Sequence, residues 1–492
     1  MSRGRQIRRA GDDPVGGGER TDRSSVNSNS SERALRWLAA MLTATALVTV
    51  GAVAIMIAAF GPTKGTIERA VKRTGPGQIL VLGEAGGTDS WRRMFEAYHR
   101  KVTDPNGDLY AVFFVDRVKF QYPPSSLLVF DLFSSSMTRT ADSVRQGQPL
   151  RQWLDGLSRV AVVQAVVTSV LILEIGLRRV HTGQPDRAVA RTLRIGLSLL
   201  LGLMYYPLLI GHQLGQVQVF LNGLIALGVL FFVLGRRTAA GVCFGACCLV
   251  KPQYGLLLLW SLVRRQWRFA LGAGSALLVG LAVSVVRFGL RDHLRYLEVI
   301  RELSRVGEAY WPNQSVNGLL NRLLENGDPL RFFANEFVSY HPVVYAVTVA
   351  SSVVFLLLAL WPGGERRGPA DPIDLTVMLV AVTMASPIAW EHHYGVLLPV
   401  FAITLPRLLL VAPLGRATSG LFVLSYVATA NVLVVPQLVF RHPWLGLAGS
   451  HLFFGSLLLF GLLIVLRAVG DPNTRLIGPG VVRRSEGHSP VQ

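Results

Sequence analysis

At 492 residues, with 51% hydrophobic and only 16% charged residues, the chain is too apolar for a soluble globular domain and reads as a multi-pass membrane protein. The formal net charge of +19 comes mostly from arginines at the ends of apolar runs, which argues for membrane topology and lipid headgroup contact and against nucleic-acid binding. Cys243, Cys247 and Cys248 fall in one apolar run without metal-ligand or disulfide spacing, so they read as small packing residues.

Residues 1–33 are polar and basic, and are expected to form a disordered cytoplasmic tail. The apolar run that follows is too long for a signal peptide and lacks a cleavage pattern. Apolar runs come at roughly 34–60, 156–177, 195–211, 215–235, 267–286, 343–361, 373–387, 394–413, 418–436 and 446–466. Two further segments, 123–136 and 239–262, are ambiguous. The expectation is an all-α polytopic membrane protein. Its membrane domain covers 34–467, with about ten spans plus two short or re-entrant segments, and 468–492 forms a second tail.

Arginine placement orients the spans. The N-terminal tail, Arg178, Arg179, Arg187, Arg191, Arg194, Arg236, Arg237, Arg264, Arg265, Arg366, Arg367, Arg416 and the C-terminal tail should share the cytoplasmic side. Both termini are then cytoplasmic, in a cell inner (plasma) membrane, and the long loops at 61–155 and 288–342 are exoplasmic by parity; they carry many arginines themselves, but long loops do not obey the charge rule. Aromatics interleaved with charges in the first loop predict interfacial amphipathic helices. As a single span, 239–262 would separate Arg236-Arg237 from Arg264-Arg265 and put Lys251-Pro252 at the bilayer centre. A central lysine costs about 2.5–3.5 kcal/mol on insertion scales. Two half-helices returning to the same side, lining a polar cavity, avoid both problems.

On that topology one side collects the polar residues. They are Asp89 in the first loop, the turn His212 to Gln216, Asn313-Gln314 in the second long loop, the Glu391-His392-His393 knot, and Lys251 from the broken helix. Titratable groups at membrane depth are costly and mark functional sites. A carboxylate, imidazoles, amides and a cation together suit movement of a sugar from a lipid phosphate to a hydroxyl. The acid or an imidazole takes the proton, and the cation and amides hold phosphate and sugar. Each residue also has a structural reading. Asp89 can cap a helix. Asn313-Gln314-Ser315 is formally a glycosylation sequon, and His212 and Gln216 can satisfy backbone at a turn. Adjacent histidines on an α-helix diverge by about 100°, so one of His392 and His393 is expected to face the site.

The ordered set Asp89, Asp108-Leu109-Tyr110, Tyr122-Pro123-Pro124, Gly215-Gln216-Val217-Gln218, Leu249-Val250-Lys251-Pro252, Asn313-Gln314-Ser315-Val316-Asn317-Gly318-Leu319 and Ser386-Pro387-Ile388-Ala389-Trp390-Glu391-His392-His393 resembles glycosyltransferase family 87. These are GT-C-fold polyprenol-phosphate-mannose-dependent alpha-mannosyltransferases, among them the phosphatidylinositol-mannoside mannosyltransferases. The resemblance implies inverting transfer, on the exoplasmic face, of a hexose such as mannose from a polyprenyl-phosphate donor to a glycolipid or glycan. It implies catalytic roles for Asp89 and for His392 or His393. It leaves Tyr122, Gln216, Gln218, Lys251, Arg291, Asn313, Gln314 and Glu391 as substrate-binding candidates, with Arg295 beside Arg291 as a further phosphate contact. Gln218 stands where the family usually has Asn. No cofactor or resident metal is called for, and dependence on a divalent metal is left open. The rival readings are a lipid or solute transporter or flippase, and a ligase of lipid-linked glycan polymers. A transporter should put its polar groups at the midplane and show paired repeats; this chain shows neither.

Overall fold

The computed structural model describes residues 20–72, 74–84, 86–131, 148–180, 188–361, 371–410, 416–442 and 444–469. Their regular structure is helical; one isolated bridge, Asn313 to Trp390, is the β pairing among them. A long α1 (Arg20–Phe60) leads into the first loop with α2 (Lys64–Lys72), α3 (Gly75–Val81), α4 (Asp89–Thr103) and α5 (Ala111–Phe114). Then come α6 (Gln148–Val180), α7 (Ala188–Leu203), α8 (Tyr206–Leu214), α9 (Gln218–Val233), α10 (Arg237–Cys248), α11 (Gly255–Val263) and α12 (Trp267–Phe288). The second long loop holds α13 (Leu290–Val306) and α14 (Val316–Leu323). The chain continues with α15 (Pro342–Leu360), α16 (Pro372–Met384), α17 (Leu397–Leu410), α18 (Arg416–Ala430), α19 (Pro436–Val439) and α20 (His451–Val469).

Among the described residues, six helical segments are long and apolar enough to cross a membrane, or seven if the bent pair α7–α8 is one span. That is fewer than the apolar runs predict. The runs near 215–235, 373–387 and 418–436 form helices of 16, 13 and 15 residues. These are only about 20–24 Å long at 1.5 Å per residue, short of a ~30 Å hydrocarbon core. Residues 20–33, expected as disordered tail, belong to α1; 1–19 and 470–492 lie outside the described residues. Of the ambiguous 123–136 piece, Pro124–Leu127 is a 3-10 turn, and 132–136 lies outside the described residues.

α16 and α17 are buried along almost their whole length and form the centre of the bundle. α12 and α15 leave most of their apolar surface outward, as lipid-facing helices do. α4 buries Ser90, Trp91, Met94, Ala97 and Tyr98 on one face, the amphipathic pattern predicted for the first loop.

The bundle has two unlike ends. At one end Arg194 grips Glu174 through two bonds of 2.6 and 2.8 Å and Ser31 through a third, tying α7 to α6 and α1. Arg264 and Arg467 converge on Asp374 and also donate to the last carbonyls of α15, while Arg407 meets Asp371 at 3.0 Å. The start of α1 and the end of α20 both belong to this arginine-rich end.

The segment 237–263 is a hairpin rooted there. Arg237 lies over the Phe232 ring, Phe232 packs on Trp260 at 5.9 Å, and Trp260 donates to Asp374 at 2.9 Å, so both feet stand together. The tip reaches the opposite end, where Cys247 meets the carbonyl of Leu221 and Lys251 meets His393. The descending leg can lie against α12 because Gly241 and Gly272 face backbone: a Cβ on Gly241 would collide with the Phe269 carbonyl, and one on Gly272 with that of Thr238.

Candidate active site

The first loop is clamped onto the α8–α9 turn before Asp89 is reached. Gly87 N–H donates to the Gln213 carbonyl at 2.7 Å and Ser90 N–H to that of Gly215 at 3.2 Å. Gly86 N–H is held by the Asp155 carboxylate at 2.7 Å. Gly215 ends α8 with φ +69°, and a Cβ there would collide with the Gly87 carbonyl, so only glycine allows this contact. Asp89 thereby sits in the first turn of α4, beside a turn far away in sequence.

A hydrogen-bond chain ends on that acid. The Ser90 hydroxyl donates to Gln216 Oε1 at 2.6 Å, so the Tyr122 hydroxyl, 2.9 Å from Ser90 Oγ, is the donor in its own pair. The Gln216 amide then donates to Asp89 Oδ2 at 2.5 Å. Burial first, and the Asp89 carboxylate after it, push the Tyr122 phenol up to about 12, so it keeps its proton. Arg93, one helical turn on, takes Asp89 Oδ1 at 2.8 Å. Each carboxylate oxygen has two lone pairs, so one on each stays open. The Asp89 side chain is 38% exposed.

Residues 390–393 fan out to different elements because Trp390 is an extended N-cap and Glu391–Val396 is a 3-10 helix, in which successive side chains turn by about 120°. Trp390 packs on Tyr310 and Phe332. Glu391 accepts from Tyr206 at 2.9 Å. His393 Nε2 lies 2.5 Å from Lys251 Nζ. His392 is fixed through its backbone carbonyl, which accepts from Asn222 at 3.2 Å, and its ring stands at 84° to that of His393. Both histidines line the same cavity. The polar partners of Asp89 are Gln216 and Arg93, and neither histidine is among them.

These groups line one cavity of about 1040 Å³, at the upper end of small-molecule sites. It brings together Asp89, Tyr122, Gln216, Lys251, Glu391, His392 and His393. Four other candidates do not line it. Gln218 is fully buried and donates to Asn222 and Tyr254, so it braces the histidine segment from behind. Asn313 and Gln314, also fully buried, hold the backbone of 387–389 in place: Asn313 bonds Pro387 and Ala389, and Gln314 N–H donates to Ala389. That burial also leaves no room for a glycan on Asn313. Arg291 is exposed on α13, and Arg295 is engaged by Asp108 and Glu298. His212 is buried on Ser158 at 2.6 Å, outside the cavity lining.

Ser90, Arg93, Lys119 and Tyr206 line the cavity without having been singled out in the sequence. Arg93 was findable, four residues after Asp89 on an amphipathic helix. Lys119 pairs with Glu308 at 2.7 Å, although burial lowers its affinity for the proton against the pull of that carboxylate. Among the described residues, no three His, Cys, Asp or Glu side chains gather as a metal site would require.

Among the described residues, the molecule is a helical membrane bundle with a large, partly polar cavity at one end. The family model for glycosyltransferase family 87 matches residues 120–387, more than half of the chain, and the chain belongs to that family. The match covers Tyr122, Gln216 and Lys251, while His392 and His393 lie just past its end and Asp89 lies well before its start. The chain is also similar to the polyprenol-phosphate-mannose-dependent alpha-(1-2)-phosphatidylinositol mannoside mannosyltransferase of Mycolicibacterium smegmatis, with 25% identity over 300 residues. That alignment takes in 58% of this chain, and the chain spans about three-fifths (61%) of the relative's length.

Proposed function

We propose that the protein is an integral-membrane glycosyltransferase moving a hexose, mannose first among candidates, from a polyprenyl-phosphate donor to the hydroxyl of a glycolipid or glycan. The observation that carries this reading is the single cavity joining the Asp89 chain to the Lys251–His393 pair. Asp89 takes the proton of the acceptor hydroxyl on a free lone pair. The acceptor oxygen bonds to the anomeric carbon as the carbon–phosphate oxygen bond breaks, inverting the centre. The electron pair leaves with the polyprenyl phosphate, whose added charge Lys251 and His393 stand to meet. An apolar wall of Leu256, Ile300, Leu303, Leu356 and Val382 suits the polyprenyl chain.

The cavity lies opposite the arginine-rich end. With the arginines of the short connectors cytoplasmic, and those of the long loops around the cavity outside the positive-inside rule, the site is exoplasmic and both termini are cytoplasmic, in the plasma membrane. Radiolabelled polyprenyl-phosphate mannose, arabinose or glucose given to membranes carrying the protein tests the reaction. Labelled product from the mannose donor is expected, and absence of transfer from all three, with the protein intact, argues for a transporter. The anomeric configuration of the product, read by NMR, tests inversion. Labelling of single cysteines in α2 and at the end of α20 by impermeant reagents tests the orientation.

A further inference from the structure

Three rings of the cavity wall form a closed set. Trp390 lies 6.4 Å from Tyr310 and 6.0 Å from Phe332, and Tyr310 lies 5.8 Å from Phe332. All three are half-buried and line the cavity, with Trp311 beside them. Rings serving only as core would be covered; these present surface to the chamber. The backbone beneath Trp390 is locked: it forms the bridge to Asn313, and the next residue's N–H donates to the Pro312 carbonyl at 3.1 Å. Cations back the rings, with Lys119 over Phe332 at 4.6 Å and Arg93 over the same ring at 5.5 Å. The fixed aromatic wall is therefore joined to Asp89 through Arg93.

Resting on the transferase reading, we infer that this wall is the acceptor platform, and that it selects a pyranose ring over a simple lipid alcohol. The faces of aromatic rings carry partial negative charge and attract the positive edge that sugar C–H groups present. In an inverting displacement the nucleophile and the leaving phosphate lie on opposite sides of the anomeric carbon. Lys251 and His393 mark the phosphate side. The aromatic wall is tied to the other marker, the acid that receives the acceptor's proton. A sugar lying on Trp390 keeps its ring hydroxyls free to approach Asp89, while an alkyl alcohol finds no face to match. Trp390 thus acts as a specificity-determining residue for the acceptor.

The test uses the full chain in lipid nanodiscs and octyl α-mannoside below its micelle concentration. Saturation-transfer NMR should show saturation reaching the sugar ring protons in the native protein. It should fall at least fivefold in Trp390→Ala and return in Trp390→Phe. Equal ring saturation in Trp390→Ala overturns the platform. In the transfer assay, Trp390→Ala should raise the KM for octyl α-mannoside at least tenfold and leave the KM for polyprenyl-phosphate mannose within twofold. A donor KM that rises equally, or native transfer to dodecanol as fast as to the mannoside, also overturns it. Ring saturation that depends on Trp390, with no sugar transfer from any donor, upholds the mannoside platform and sinks the transferase reading instead.

Discussion

Asp374 and Asp89 are the same chemical group at opposite ends of one bundle, in opposite states of satisfaction. Asp374 is 9% exposed and receives Arg264, Arg467 and the Trp260 indole, so its lone pairs are spoken for. Asp89 receives one amide and one guanidinium, and opens onto a cavity. The difference separates a carboxylate that holds helices together from one that is aimed and left accessible. Aiming comes from neutral donors in series, Tyr122 to Ser90 to Gln216, which fix direction without closing the group off.

Swapping chemistry at the two ends should break the comparison in opposite ways. The largest effect is expected for Asp89→Asn: about 10²–10⁴-fold loss of kcat in the radiolabelled transfer assay, with an unchanged melting profile. Near-native turnover in that variant removes Asp89 from catalysis. Asp374→Ala takes the shared carboxylate from Arg264 and Arg467, which keep their carbonyl partners, and should cost about 1–3 kcal/mol, read as a lower melting temperature in detergent, with turnover per folded molecule retained. Lys251→Met should weaken use of the donor by about tenfold to a hundredfold in kcat/KM, since it removes the proposed charge-assisted phosphate contact. Equal losses for a phosphate-free donor analogue would place Lys251 elsewhere. Tyr122→Phe deletes the first donor of the chain and should lower kcat by about 2–10-fold, the worth of one hydrogen bond. Arg291→Ala should stay within about twofold in all assays, because the side chain is exposed and off the cavity.

Much of the site was legible because polar residues in apolar surroundings are costly and few. Asp89, Lys251 and the Glu391–His393 knot stood out for that reason, and Lys251-Pro252 announced the broken helix. Asn313 and Gln314 stood out equally, yet they spend their amides on backbone. Sequence reveals that a buried amide must find partners, and not whether those partners are carbonyls or a ligand. Ser90 was invisible because a serine in a first helical turn is unremarkable until Tyr122 and Gln216 meet it. The fan of Trp390 to His393 also lies beyond the sequence, since a 3-10 turn forms where apolar flanks predict α-helical spacing. The start of α1 is not legible because polar residues 20–33 carry no apolar period.

On the proposed reading, the 237–263 hairpin sets a depth gauge for the reaction. Its legs have 12 and 9 residues, about 18 and 14 Å long, and both feet are bolted to the arginine-rich end. The height of Lys251 is therefore measured from protein, not from the bilayer. Thinner or thicker lipid would shift where substrates float, while the cation stays at its mark. One residue added to the first leg would lift it by about 1.5 Å and swing it about 100° off His393.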